Sequence, residues 1–241
     1  MASIEHNSII PNKPLFIVSS ALNSQMGVIN QDDRLDQTLD GLKTLRKYVP
    51  EAIILLVDGS PVPVQDFKIK EISEHVDFIV DLSGDEQIVK FAINHRKSEA
   101  ENVLMIKTMM LLKKEPAMMK LMHSVNRIFK LSARTDIHSS FKVDDHLHFG
   151  KYVFKKRMPT WIQDNRKSFA TDLLITRFFS MCPSLIDEYI ALATDNINLM
   201  IQTRIDTEHA HFVNIKKDRL VELDEIHCQG VMAGTGDVEV Y

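Results

Sequence analysis

The stretch Leu15-Phe16-Ile17-Val18-Ser19-Ser20-Ala21-Leu22-Asn23-Ser24 decides how the chain is read. Its first four residues are a continuous aliphatic and aromatic run, which suits a strand covered on both faces. Small polar residues then follow where such a strand would end. Beyond it, Leu35, Leu39, Leu42 and Leu45 recur at helical spacing behind Asp32 and Asp33, acids that favour a helix start, and Pro50 stops the helix. Residues 52–57 repeat the buried-strand pattern and close on Asp58-Gly59-Ser60. A short helix through Phe67, Ile69 and Ile72 leads to a third strand, Phe78-Ile79-Val80. Residues 15–83 therefore read as a β-α-β-α-β unit with parallel strands and right-handed crossovers.

The remainder extends an α/β plan. Residues 85–122 look helical, with Pro116 breaking the run, and VNRIFKLSA (125–133) alternates as a fourth strand. Residues 134–150, rich in Asp and His, read as loop. Tyr152-Val153-Phe154 reads as a strand, Thr160-Trp161 opens another, and 184–204 has the spacing of a helix behind Pro183. The C-terminal stretch, with Gly230, Gly234 and Gly236, reads as loop and short strand. No repeat or linker cuts the chain, so one domain over 1–241 is expected.

Composition narrows the function. An apolar fraction of 44% and a charged fraction of 26% belong to a globular chain, and a formal net charge of −4 gives no whole-protein attraction for nucleic acid. The basic stretch 151–167, interleaved with Tyr152, Phe154 and Trp161, accordingly reads as a solvated strand face. Cys182 and Cys228 supply neither a disulfide framework nor a zinc spacing, which suits a reducing compartment. The opening MASIEHNSII is too polar for a signal peptide, and no run approaches the roughly 18 apolar residues of a membrane span. A cytoplasmic protein is the expectation.

In an open α/β sheet, ligands sit beyond the carboxyl ends of the strands. That rule selects 19–24, 58–60 and 81–84. None carries a dinucleotide fingerprint or a P-loop, which weakens the case for a nicotinamide enzyme or a phosphate-cradling NTPase. Asp58 could accept hydrogen bonds from a base edge or ribose, although Asp-Gly-Ser-Pro is equally a turn sequence. Arg134-Thr135-Asp136 follows the fourth strand. There a carboxylate could bind a divalent cation on a diphosphate and an arginine could neutralise the same phosphates; a structural Arg–Asp pair would look alike. In Asp206-Thr207-Glu208-His209-Ala210-His211, Glu208 or Asp206 could act as general base on a hydroxyl. The two histidines are a weak zinc signal and equally surface residues.

Taken in order, FIVSSAL (16–22), RLDQTL (34–39), IILLVDGS (53–60), IFKLSAR (128–134), TRFFS (176–180) and Glu208-His209 resemble GT-A-type glycosyltransferases. They are most similar to the glycosyltransferase-like proteins of phages and lipopolysaccharide-synthesis clusters. The resemblance implies a mixed, mainly parallel central sheet, with 15–83 as the nucleotide-binding portion and 125–241 as the acceptor and catalytic portion. It implies that Ser19, Ala21, Arg34, Asp58 and Arg134 bind a nucleotide-diphosphate sugar. Glu208 and Asp136 would be catalytic, Asp136 would hold Mn2+ or Mg2+, and a glycan hydroxyl would be the acceptor. The family's Asp-x-Asp is here Arg134-Thr135-Asp136, a departure that leaves metal dependence open. It also keeps two alternatives in play, a non-catalytic binding or assembly protein and a nucleotidyltransferase.

Overall fold

The computed structural model describes residues 12–24, 29–231 and 237–241; Gly234 and Gly236 lie outside them. The first half holds β1 (Lys13–Ser20), α1 (Gln31–Tyr48), β2 (Ile53–Asp58), α2 (Asp66–Ser73), β3 (Phe78–Asp81), α3 (Glu86–Ala92), α4 (Lys97–Lys114) and α5 (Pro116–Met122). Next come β4 (Val125–Ser132), β5 (Thr135–Ile137), β6 (Tyr152–Lys155), β7 (Met158–Pro159), β8 (Asp172–Leu173) and β9 (Phe178–Met181). The chain closes with α6 (Ile186–Thr203), α7 (Thr207–Asn214), β10 (Leu220–Leu223), β11 (Cys228–Val231) and β12 (Val238–Val240).

A seven-stranded sheet in the order β10-β6-β9-β4-β1-β2-β3 runs through the molecule. β1 pairs in parallel with β2 on one side and β4 on the other, and β2 continues in parallel to β3. The β-α-β-α-β unit read over 15–83 is present, with β1 an interior strand between β4 and β2. Its residues alternate between two cores, as strand geometry requires. Leu15 and Ile17 join Leu104, Met105 and Tyr189 from α4 and α6, whereas Phe16 and Val18 join Leu35, Leu42 and Leu45 from α1. This double covering is why the sequence of β1 shows no polar alternation. At the N-terminus of α1 the cap is Asn30, whose Oδ1 accepts from the backbone N–H groups of Asp32 and Asp33.

Three local expectations change. The supposed loop 134–150 contains β5, which pairs antiparallel with β11. Thr160 and Trp161 lie beyond the end of β7 and open no strand. Phe178–Met181, which had no strand assignment of its own, is β9, antiparallel to both β4 and β6 in the interior of the sheet. A four-residue segment, Phe-Phe-Ser-Met, carries too little periodicity to separate strand from helix; pairing with two neighbours decides it. Among the described residues, no helix is long and apolar enough to cross a membrane.

Candidate functional site

The carboxyl ends of β1, β2 and β4 open on a cavity of about 670 Å³. Ser19, Ala21, Arg34, Arg134 and Glu208 all line it, so the fold brings together five of the seven residues singled out from sequence. Its size falls within the range of small-molecule sites.

Asp58 and Asp136 are placed elsewhere. Asp58 is fully buried, and its carboxylate accepts from Ser20 Oγ (2.6 Å), Leu22 N (3.0 Å) and Ser60 N (2.8 Å). Its oxygens are taken by the protein. The loop after β1 is thereby clipped to the loop after β2, with Asn23 N donating to Ser60 Oγ as a further tie. Asp58 therefore shapes the cavity edge at Ala21 and Leu22 and has no face on the cavity itself. Asp136, in the middle of β5, stands opposite Gln229 of β11, whose Nε2 is 3.5 Å from Oδ2. It does not line the cavity.

Cations gather where the strands end. Among the described residues, five cationic side chains (Arg34, Lys97, Lys130, Arg134 and Arg177) line the cavity against the three carboxylates of Glu101, Glu208 and Glu239. Arg34 belongs to α1, and its Nε donates to Ile29 O. Arg134 sits in the turn between β4 and β5, and its Nη1 is buried without a hydrogen-bond partner among the described residues. Burial lowers its pKa to about 10, and the neighbouring charges of Arg34 and Arg177 push the same way. Arg177 immediately precedes β9; its Nη1 donates to Val231 O and its guanidinium lies over the Tyr241 ring.

Two glycines permit this grouping. A Cβ on Gly41 of α1 would stand 2.9 Å from the carbonyl oxygens of both Ala133 and Thr135. Only a bare backbone lets α1 approach the turn that carries Arg134. A Cβ on Gly230 would stand 2.5 Å from Arg177 Nη1 and 3.0 Å from Arg134 O.

Lys130 and Glu101 escaped the sequence reading. Lys130, on β4, is 2% exposed; its Nζ lies 2.5 Å from Glu101 Oε1 of α4 and donates to Ser132 Oγ and Thr176 O. Burial pushes the Glu101 carboxyl up, but the charge and hydrogen bond of Lys130, helped by Lys97, outweigh it and hold the group below the usual carboxylate range. Lys97, at the start of α4, is an exposed residue that lines the same cavity. A lysine within the strand VNRIFKLSA, flanked by Phe129 and Leu131, was the available signal, because a strand interior seldom tolerates an unpaired charge.

Glu208 lies in the first turn of α7 and accepts from Thr176 Oγ1 at 2.8 Å. Burial, then the neighbouring Asp206, raises its pKa to about 7. That value suits a group exchanging a proton near neutrality. Asp206 instead caps α7, accepting from His209 N and meeting His209 Nδ1 at 2.6 Å. His209 Nε2 reaches Thr160 Oγ1 at 2.8 Å, and the edge of Trp161 packs on the ring. His211, buried on the same helix, meets Thr207 O and Asn196 through Nδ1, and burial lowers its pKa to about 4. With 207–214 helical and both rings committed to the interior, the histidines make no zinc pair.

The residues present do not fit a divalent cation at the end of β4. The position that would carry a liganding acid holds Arg134, and Asp136 faces β11. Among the described residues, no group of three His, Cys, Asp or Glu is placed to hold a metal ion.

No protein-family model matches the chain, and no curated protein matches it in sequence. Solved structures do match in fold. Core-mannan synthase A from Aspergillus fumigatus, in its Mn/GDP form, aligns over 92% of this chain and 75% of its own, at TM-score 0.52 and 7% identity. The mannosyltransferase Ktr4p from S. cerevisiae aligns over 89% of this chain and 70% of its own, at TM-score 0.51 and 10% identity. The galactosyltransferase LgtC, in complex with donor and acceptor sugar analogs, aligns over 87% of this chain and 72% of its own, at TM-score 0.51 and 8% identity. At such identities the likeness is one of architecture: a mainly parallel seven-stranded sheet flanked by helices, the GT-A fold.

Proposed function

We propose that the chain is a glycosyltransferase that moves a sugar from a nucleoside diphosphate-sugar to a hydroxyl of a glycan acceptor, of the lipopolysaccharide kind that the sequence resemblance implies. The observation that carries this reading is the opposition within one cavity of an arginine cluster and Glu208, a carboxyl whose pKa is raised to about 7. Anion-binding groups beside a tuned base suit a reaction that expels a diphosphate while a hydroxyl loses its proton. The nucleotide lies along Ser19–Ala21 and the strand ends of 15–83, and the acceptor approaches from the side built by 125–241. Glu208 takes the acceptor proton, and Arg134 neutralises the leaving diphosphate. The GDP in the core-mannan synthase A structure and the sugar analogs in that of LgtC support such a tenant for this fold.

Incubating the protein with a panel of nucleotide-sugars and glycan acceptors tests the reading. Release of nucleoside diphosphate together with a glycosylated product supports it. Release of pyrophosphate would identify a nucleotidyltransferase instead. Nucleotide binding with no turnover of any donor would leave a non-catalytic binding protein.

A further inference from the structure

We propose that this site holds the diphosphate of its nucleotide with the guanidinium groups of Arg34, Arg134 and Arg177, and that no divalent cation bridges phosphate to protein. The inference rests on the donor reading above and goes beyond it, since the divalent cation expected from the family resemblance is what it removes.

The three arginines come from separate elements, α1, the β4–β5 turn and the approach to β9, yet line one cavity. Like charges gathered under partial burial repel one another, and a bound anion offsets that repulsion. Arg134 Nη1, buried and without a partner among the described residues, is the donor left for that anion. The close approaches at Gly41 and Gly230 hold the cluster together, because a side chain at either position would push α1 or Arg177 away from Arg134. Guanidinium is suited to the task, presenting planar paired donors that match phosphate oxygens.

The carboxylates point the same way. A cation between protein and diphosphate needs acid oxygens turned to the ligand. Here Asp58 is consumed by three protein donors, and Asp136 pairs with Gln229 within the three-stranded sheet beside the main one. Among the described residues, each acid that lines the cavity is engaged: Glu101 with Lys130, Glu208 with Thr176, and Glu239 with the Tyr241 hydroxyl. During transfer, a bond forms between the acceptor oxygen and the anomeric carbon while the bond from that carbon to the β-phosphate oxygen breaks. The electron pair leaves with the diphosphate, where the three guanidinium groups offset its charge, and the acceptor proton passes to Glu208.

Titration calorimetry of the full chain with UDP, GDP, ADP and CDP, each in excess EDTA and again with Mn2+, tests this. At least one diphosphate should bind in EDTA with a Kd within about threefold of its value with Mn2+. In Arg134→Ala, that affinity should fall at least tenfold while affinity for the matching monophosphate changes less than threefold. Arg134→Lys should recover part of the loss, and a thermal melt of each variant separates lost binding from lost fold. Diphosphate binding that vanishes in EDTA and returns with Mn2+ overturns the cation-free proposal and leaves glycosyl transfer standing. Equal losses for diphosphate and monophosphate in a folded Arg134→Ala also overturn it. Failure of every nucleotide to bind in either condition removes the donor reading as well.

Discussion

Arg177 lies across Gly230, with its Nη1 2.5 Å from the place a Cβ would occupy and the carbonyl of Arg134 3.0 Å from the same point. Two of the three arginines are therefore positioned around one glycine of β11, in a smaller sheet beside the main one. Arg177 can swing away; the Arg134 carbonyl is backbone and cannot. Gly230→Ala is expected to weaken nucleoside diphosphate binding about tenfold and to cost about 1–3 kcal/mol of stability, as overpacking does. Calorimetry and urea unfolding measure the two effects. Unchanged binding would detach Arg177 from the anion site.

Glu208 should act in its ionised form, so transfer is expected to rise with pH through about 7, the value to which burial and Asp206 raise it. Glu208→Gln should lower kcat by about 10²- to 10⁴-fold with the nucleotide Kd unchanged. The stability effect has the opposite sense. A carboxyl whose pKa is raised by folding favours the folded state when protonated, so wild-type stability falls as pH climbs from about 4.3 through 7. Relative to wild type, Glu208→Gln should therefore be more stable at pH 8 than at pH 5, by roughly 1–3 kcal/mol. Urea unfolding at both values checks the sign.

Lys130, buried on β4, and Glu101, partly exposed on α4, form an ion pair at the cavity wall. Lys130→Met would remove the main counter-charge of Glu101 and is expected to cost about 1–3 kcal/mol, less than in a fully buried pair because Glu101 is partly exposed and keeps Lys97 nearby, whereas adding Glu101→Leu should recover most of that loss. The pair also carries a pH dependence. Glu101 is held below its ordinary value, so its contribution is present above the unfolded carboxyl pKa and is lost as pH falls through the lower folded one. Acid unfolding of wild type against the double variant displays the difference.

Asp58 is a structural clip, so Asp58→Ala should act on the fold first. It orphans the backbone N–H groups of Leu22 and Ser60 and leaves the Ser20 hydroxyl only its longer bond to Val57 O, which at about 1–3 kcal/mol for each buried unsatisfied donor predicts a loss of at least about 2 kcal/mol. Asp58→Asn keeps an acceptor and should lose less. A binding defect in a variant of unchanged stability would show that Asp58 reaches the ligand after all.

The sequence by itself determined the β-α-β-α-β unit and the edge at which a ligand would sit. Those features are local: a run of apolar residues, a helical period, a cap, a proline. It also singled out Arg134, just beyond a buried strand, and Glu208, in an acid-rich segment after a long helix, while Arg34 entered through the family resemblance. Tertiary structure decided which of the acids face the cavity. Asp58 and Asp136 have the right residue type at plausible positions, but side-chain direction depends on which loop or strand docks alongside, Ser20 and Ser60 in one case and β11 in the other. The pairing of Lys130 with Glu101 joins a strand to a helix, and the meeting of Arg34, Arg134 and Arg177 depends on the close approaches at Gly41 and Gly230. Charge clusters assembled from distant segments leave no period in a sequence, because the energy that organises them is through space.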